Sequence, residues 1–124
     1  MKIKNIKLFV KILLLIIIVD SPYLYFISKS YKKMIYNIQK SSMKLNQFSA
    51  LSCYLLLGLA MYLFIVKKNA SLKEAFLLGL IIYGVYETTS YALLSKWDPY
   101  MVIIDSVWGG LLFTIVYYLI KKIN

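Results

Sequence analysis

The sequence predicts an all-α membrane protein: four transmembrane helices in an antiparallel bundle, with a short basic amphipathic surface helix between helices 1 and 2. Hydrophobic residues fill 61% of the 124 positions, whereas a soluble domain of this size rarely exceeds about half. They gather in four runs of roughly 20 residues, the length that crosses about 30 Å of hydrocarbon. Charged residues fall mostly between those runs. The whole chain, residues 1–124, therefore reads as a single integral membrane domain.

The first run covers residues 6–27 and follows a basic start, Met-Lys-Ile-Lys-Asn. Lysines before an apolar stretch invite comparison with a signal peptide. The small residues of a cleavage site are missing, since Asp20, Ser21, Pro22 and Tyr23 follow the apolar core. A retained first helix is expected, with Lys7 and Lys11 reaching back to the interface. Pro22 is expected to kink it, because proline lacks one backbone donor and crowds the preceding turn. Residues 28–46 hold five lysines, and Tyr31, Met34, Ile35 and Ile38 recur at helical spacing. That pattern predicts the surface helix.

The second span, 47–66, carries no carboxylate or lysine, and Ser49, Ser52 and Cys53 lie near its beginning. Lys67, Lys68 and Asn69 close it. Ser71 and Glu74 have capping-box spacing, so the third span starts at Leu72 and runs over 72–94. The tight turn before it predicts that spans two and three are antiparallel neighbours. Pro99 suits the first position of a fourth helix over 99–120. Trp97 and Tyr100 suit the headgroup belt, and Lys121 and Lys122 end the span.

The net charge of +10 comes from fifteen lysines and no arginine. The lysines flank spans, where they meet the lipid bilayer's anionic headgroups. Nucleic acid is not an expected partner, because base and phosphate forks favour arginine. One cysteine, Cys53, excludes an internal disulfide. The absence of histidine removes the Ser-His-Asp triad, the Cys-His pair and histidine-ligated metals. No catalytic motif is recognisable, so the chain reads as a non-enzyme with no catalytic residue, metal or cofactor. Four spans place both termini on one side. With that side cytoplasmic, Lys2, Lys4, Lys7, Lys11, Lys67, Lys68, Lys73, Lys121 and Lys122 face the cytoplasm. Lys29, Lys32, Lys33, Lys40, Lys44 and Lys96 face outward. The excess of lysine inside favours this orientation.

Three carboxylates lie well inside the spans: Asp20, Glu87 and Asp105. A charge at the bilayer centre costs roughly 2.5–3.5 kcal/mol on insertion scales. Counted from the nearest helix ends at 1.5 Å per residue, all three are expected roughly 9–12 Å below the same face. Tyr83, Ser90 and Tyr91 share a stripe with Glu87, and Thr88 lies beside it. Trp108 and Gly109 share one with Asp105, and Ser21 and Tyr23 neighbour Asp20. Ser49 and Ser52 are counted to the same level. The expectation is a polar pocket without lysine, whose acids are held protonated or neutralised by a cation. The bland alternative is interhelical hydrogen bonding, which averages about 0.6 kcal/mol per polar side chain. Ala75 with Gly79, and Ser106 with Gly110, are small-residue pairs expected to let helices approach closely.

These motifs resemble a predicted membrane-protein family catalogued as domain of unknown function 2177. They read Asp20-Ser-Pro-Tyr23 near the end of the first span, Glu87-Thr-Thr-Ser-Tyr-Ala-Leu-Leu-Ser-Lys-Trp97-Asp-Pro99, and Ile104-Asp105-Ser-Val-Trp108-Gly109. The resemblance covers nearly the whole chain, and the last motif is the most specific. The family usually has Trp at Tyr23, Asp at Glu87 and Asn at Ser90, and Asp98 is an intrusion before Pro99. The acids are kept while their hydrogen-bonding neighbours change. The resemblance implies the fold and the choice of site residues, and no activity.

The functional expectation is a small cation- or proton-coupled carrier, or a protein that binds a cationic ligand. Asp20, Glu87 and Asp105 would hold the charge; Ser90, Tyr91, Trp108 and Thr88 would shape the pocket, Tyr91 and Trp108 through cation–π contact. A four-helix unit is small for a transport pathway, which brings a homodimer into consideration. The alternative is a membrane assembly or lipid-interacting protein whose acids serve as interhelical hydrogen-bonding groups. A lipid-directed enzyme using carboxylates as acid and base has only the acids in its favour.

Overall fold

The computed structural model describes residues 2–124. Helix α1 spans Ile3–Gln39 and α2 spans Gln47–Met61, widening into a π-helical segment at Tyr62–Val66. Helix α3 spans Leu72–Leu93 and α4 spans Pro99–Ile123. No strand occurs among the described residues. The four helical segments, with α2 taken through Val66, are each long and apolar enough to cross a membrane.

The first helix departs from expectation. It does not end at residue 27, and residues 28–39 are not a separate surface helix; they continue α1 to a length of 37 residues. That is about 55 Å of rod, well beyond a hydrocarbon thickness of about 30 Å. Pro22 lies inside it, and the Ser21 hydroxyl donates to the Ile17 carbonyl at 2.6 Å. The carbonyl that Pro22 deprives of its usual donor is the next one, that of Ile18. The amphipathic stripe of residues 31, 34, 35 and 38 is present. Its partner is protein rather than lipid: Met34 packs with Trp97 and Met101, and Tyr31, Ile35 and Ile38 lie against that cluster. The helix ends at Lys40, which takes a left-handed conformation.

The other ends follow local rules. The Asn46 side chain accepts the Ser49 N–H at the start of α2. Ser71 accepts the Glu74 N–H at the start of α3, one half of the expected capping box. Asp98 caps α4 by accepting the Tyr100 N–H at 2.9 Å, with Pro99 in the first turn. The free N–H groups of each first turn are thereby partly satisfied.

Helix α4 is the centre of the molecule. It packs most extensively on α3, and α1 packs on both α4 and α2. The α3–α4 approach is close because Gly79 faces Gly109; a Cβ on Gly79 would meet the Gly109 carbonyl. Contacts between them pair early α3 with late α4, Phe76 with Gly110 and Gly84 with Ser106. Despite the short turn between them, α2 packs chiefly on α1 and only slightly on α3. The turn is tied instead to α4, where the buried Tyr117 hydroxyl donates to the Ala70 carbonyl at 2.5 Å. Ile12, Ile16, Met61, Leu112, Phe113, Val116 and Tyr117 belong to the main apolar core. It fills the half of the molecule nearer the termini, where Lys11 reaches Asn124 at 3.2 Å. The other half holds the polar residues.

Candidate functional site

Asp20, Glu87 and Asp105 are the buried polar or charged residues, at 4%, 0% and 7% exposure. Each helix supplies something to them. Asp20 is on α1, Glu87 on α3 and Asp105 on α4. Tyr54 comes from α2. A buried carboxyl group needs hydrogen-bond donors in place of water, and here aromatic residues provide them.

Asp20 accepts from the Tyr54 hydroxyl at 2.6 Å on one oxygen and from the Trp108 indole at 2.8 Å on the other. Asp105 accepts from the Tyr23 hydroxyl at 2.9 Å. Glu87 accepts from the Tyr31 hydroxyl at 2.5 Å and the Trp97 indole at 2.9 Å, one on each oxygen. Two of the units are joined. Tyr23 stacks face to face on Trp108, with centroids 4.6 Å apart and planes 9° apart. The result is a line running from Tyr54 through Asp20, Trp108 and Tyr23 to Asp105, and a second cluster of Glu87, Tyr31 and Trp97. Asp105 and Glu87 stand on α4 and α3, the two helices that pack most extensively on each other.

All five of these donors are neutral groups. No buried side-chain nitrogen or oxygen among the described residues is left without a partner. Nor does any group of three or more acids, thiols or imidazoles converge closely enough to hold a metal ion. The three acids are held by aromatic side chains rather than gathered around one point.

Of the residues singled out from sequence, Trp108 joins the acids. Thr88, Ser90 and Tyr91 do not. Thr88 donates to the Gly84 carbonyl at 2.6 Å and Ser90 to the Tyr86 carbonyl at 2.9 Å, both within α3. Tyr91 is 48% exposed on the outer surface. Serine and threonine often bond one turn back along their own helix in this way. Ser52 likewise bonds the Phe48 carbonyl. With Ser49 and Cys53 it lines an apolar crevice beside Leu56, Leu57 and Ile82.

Tyr54, Tyr31 and Trp97 were the hidden members. Trp97 reads as a headgroup-belt residue but is 3% exposed, with its indole turned onto Glu87. Tyr31 is hidden by ending the first helix too early. A signal for Tyr54 does exist: it lies about seven residues into α2, the same count from that face that levels the acids.

A family model described as predicted membrane protein (DUF2177) matches residues 5–119. No curated protein and no solved structure matches the chain.

Proposed function

Because the chain belongs to the predicted membrane-protein family DUF2177, whose description names no activity, we propose from the site that it is a small proton-coupled membrane carrier. With four helices able to span, it is an integral multi-pass membrane protein. The carrier reading is supported above all by three buried acids whose hydrogen-bond donors are all neutral.

An ionised carboxylate only accepts hydrogen bonds. Both Glu87 oxygens already accept, from Tyr31 and Trp97. Asp105 uses one oxygen for Tyr23 and has the other to carry a proton. Asp20, with two donors on its two oxygens, is a second charge position, linked to Asp105 through the Tyr23–Trp108 stack. Coupling would consist of loading and unloading a proton on Asp105 as its tyrosine partner rearranges. A metal-cation carrier is less well supported, because no set of acids converges on one point among the described residues. The lysine excess at the terminal end favours cytoplasmic termini. A single unit leaves little room for a pathway, so the carrier is proposed as a homodimer.

One observation favours a second reading. Every buried polar side-chain atom among the described residues is already paired, as expected of an assembly protein whose acids fasten helices together. Protein reconstituted in liposomes with an internal pH dye separates the two. Proton uptake driven by a pH step is expected in the wild type and lost in Asp105→Asn. Uptake at the wild-type rate in that variant would sink the carrier reading. A wild type that moves no proton, and whose carboxyl infrared bands do not change from about pH 4 to about pH 9, would favour fastening.

A further inference from the structure

At the end of the molecule beyond the acids, the last third of α1 and the α3–α4 turn enclose a groove of about 500 Å³. Ser30, Lys33 and Asn37 line it from α1, Ser95 and Lys96 face them from the turn, and Trp97 closes it from beneath. Residues 30, 33 and 37 share one helical face. Lys33 and Lys96 are far apart in sequence, and the continuation of α1 past residue 27 is what brings them to one groove.

The groove is preformed. Met34 and Trp97 are buried beneath it at 6% and 3% exposure. The Asp98 N–H meets the Met34 sulfur at 3.3 Å, and the Lys96 amine reaches the Asn37 carbonyl at 3.5 Å. Two ammonium groups, two hydroxyls and an amide are donors to a tetrahedral anion. Asp98 is the one acid in the lining, and it is engaged in capping α4. Lys29 and Lys32 extend the positive charge along α1. One turn deeper than Ser30 on α1, Phe26 is 80% exposed, and one turn deeper than Pro99 on α4, Ile103 is 65% exposed. The ends of α3 and α4 place the groove at headgroup depth.

We infer that this groove binds the phosphate of an anionic phospholipid, with the acyl chains lying along the exposed apolar residues below. The apolar flank selects a lipid over a free phosphate, which has no use for it. The inference stands apart from the proton reading, because Ser30, Lys33, Asn37, Ser95 and Lys96 bond none of the buried acids; only the Trp97 indole at the floor touches one, Glu87.

The test is lipid retention in native mass spectrometry of the full chain, taken from nanodiscs of mixed phosphatidylglycerol and phosphatidylcholine. Wild type should retain phosphatidylglycerol preferentially. A lysine near the membrane surface is worth about fivefold in anionic-lipid affinity, so Lys33→Gln with Lys96→Gln should cost roughly thirtyfold. Lys67→Gln with Lys68→Gln, which removes equal charge at the opposite end, should leave the preference intact. Equal losses in the two double variants would mean diffuse attraction and overturn the site. Displacement of the lipid by millimolar inorganic phosphate would overturn the lipid assignment in favour of a soluble anion. If the first double variant fails to reconstitute, Lys96→Gln alone carries the test, with about a fivefold loss expected and an unchanged preference overturning the site.

Discussion

Asp105 and Glu87 differ in what surrounds them, and the difference is testable. Glu87 faces donors on both oxygens. The amide of Glu87→Gln would turn its NH2 toward one of those donors, leaving a buried clash of hydrogens. A loss of about 1–3 kcal/mol is expected, the cost of an unsatisfied buried group, measured by denaturant unfolding in detergent. Asp105→Asn behaves differently. Its oxygen still accepts from Tyr23, and its NH2 takes the place of the oxygen that accepts no side-chain hydrogen bond. Stability should change by under about 0.5 kcal/mol, although the exchangeable proton is gone. Tyr54→Phe leaves Asp20 with Trp108 alone and should destabilise by about 1 kcal/mol or more. The acids were legible in the sequence because a carboxylate in an apolar run is costly anywhere. Their donors were less so, since a tyrosine or tryptophan in a membrane protein has an ordinary place at the interface, and only the fold reveals which ones turn inward.

Among the elements, α1 and the α3–α4 pair carry the strongest constraints. Gly79→Ala would drive a Cβ into the Gly109 carbonyl, which is backbone and cannot swing aside. The helices would have to separate, at about 1–3 kcal/mol or more. Gly84 meets only the Ser106 hydroxyl, at 3.7 Å. Gly84→Ala should therefore be neutral or stabilising by up to about 1 kcal/mol, through helix propensity. Thermal unfolding of the two variants in one detergent compares them directly. The small-residue spacing pointed correctly to a close crossing on α3. The end of α1 was misread for a physical reason: an apolar stripe on a basic helix looks the same whether it lies on lipid or on protein. Met34 sits under Trp97 and Met101, and a contact across more than sixty residues leaves no trace in local periodicity.

For the whole molecule, span number was legible because hydrocarbon thickness sets helix length. Which helices touch was not. The short turn between α2 and α3 suggested neighbours, yet α4 takes the central position and α2 leans on α1. Lys11 and Asn124 meet at one end, and the α3–α4 turn lies at the other. Single cysteines at Lys4 and Lys122, in a Cys53→Ser background, should react with an impermeant reagent from the same side of a sealed vesicle. One at Lys44 should react only from the opposite side. Labelling of Lys4 and Lys122 from opposite sides would mean an odd number of crossings.

The chain has two tryptophans, and each indole N–H is bonded to one of the buried carboxyl groups: Trp97 to Glu87, Trp108 to Asp20. Indole emission responds to charge and hydrogen bonding at its nitrogen, so the protein contains its own optical reporters, one on Asp20 and one on Glu87. Trp97→Phe isolates the Asp20 signal and Trp108→Phe the Glu87 signal. A pH step followed by the emission of each single-tryptophan protein would time the two acids separately, without any attached dye.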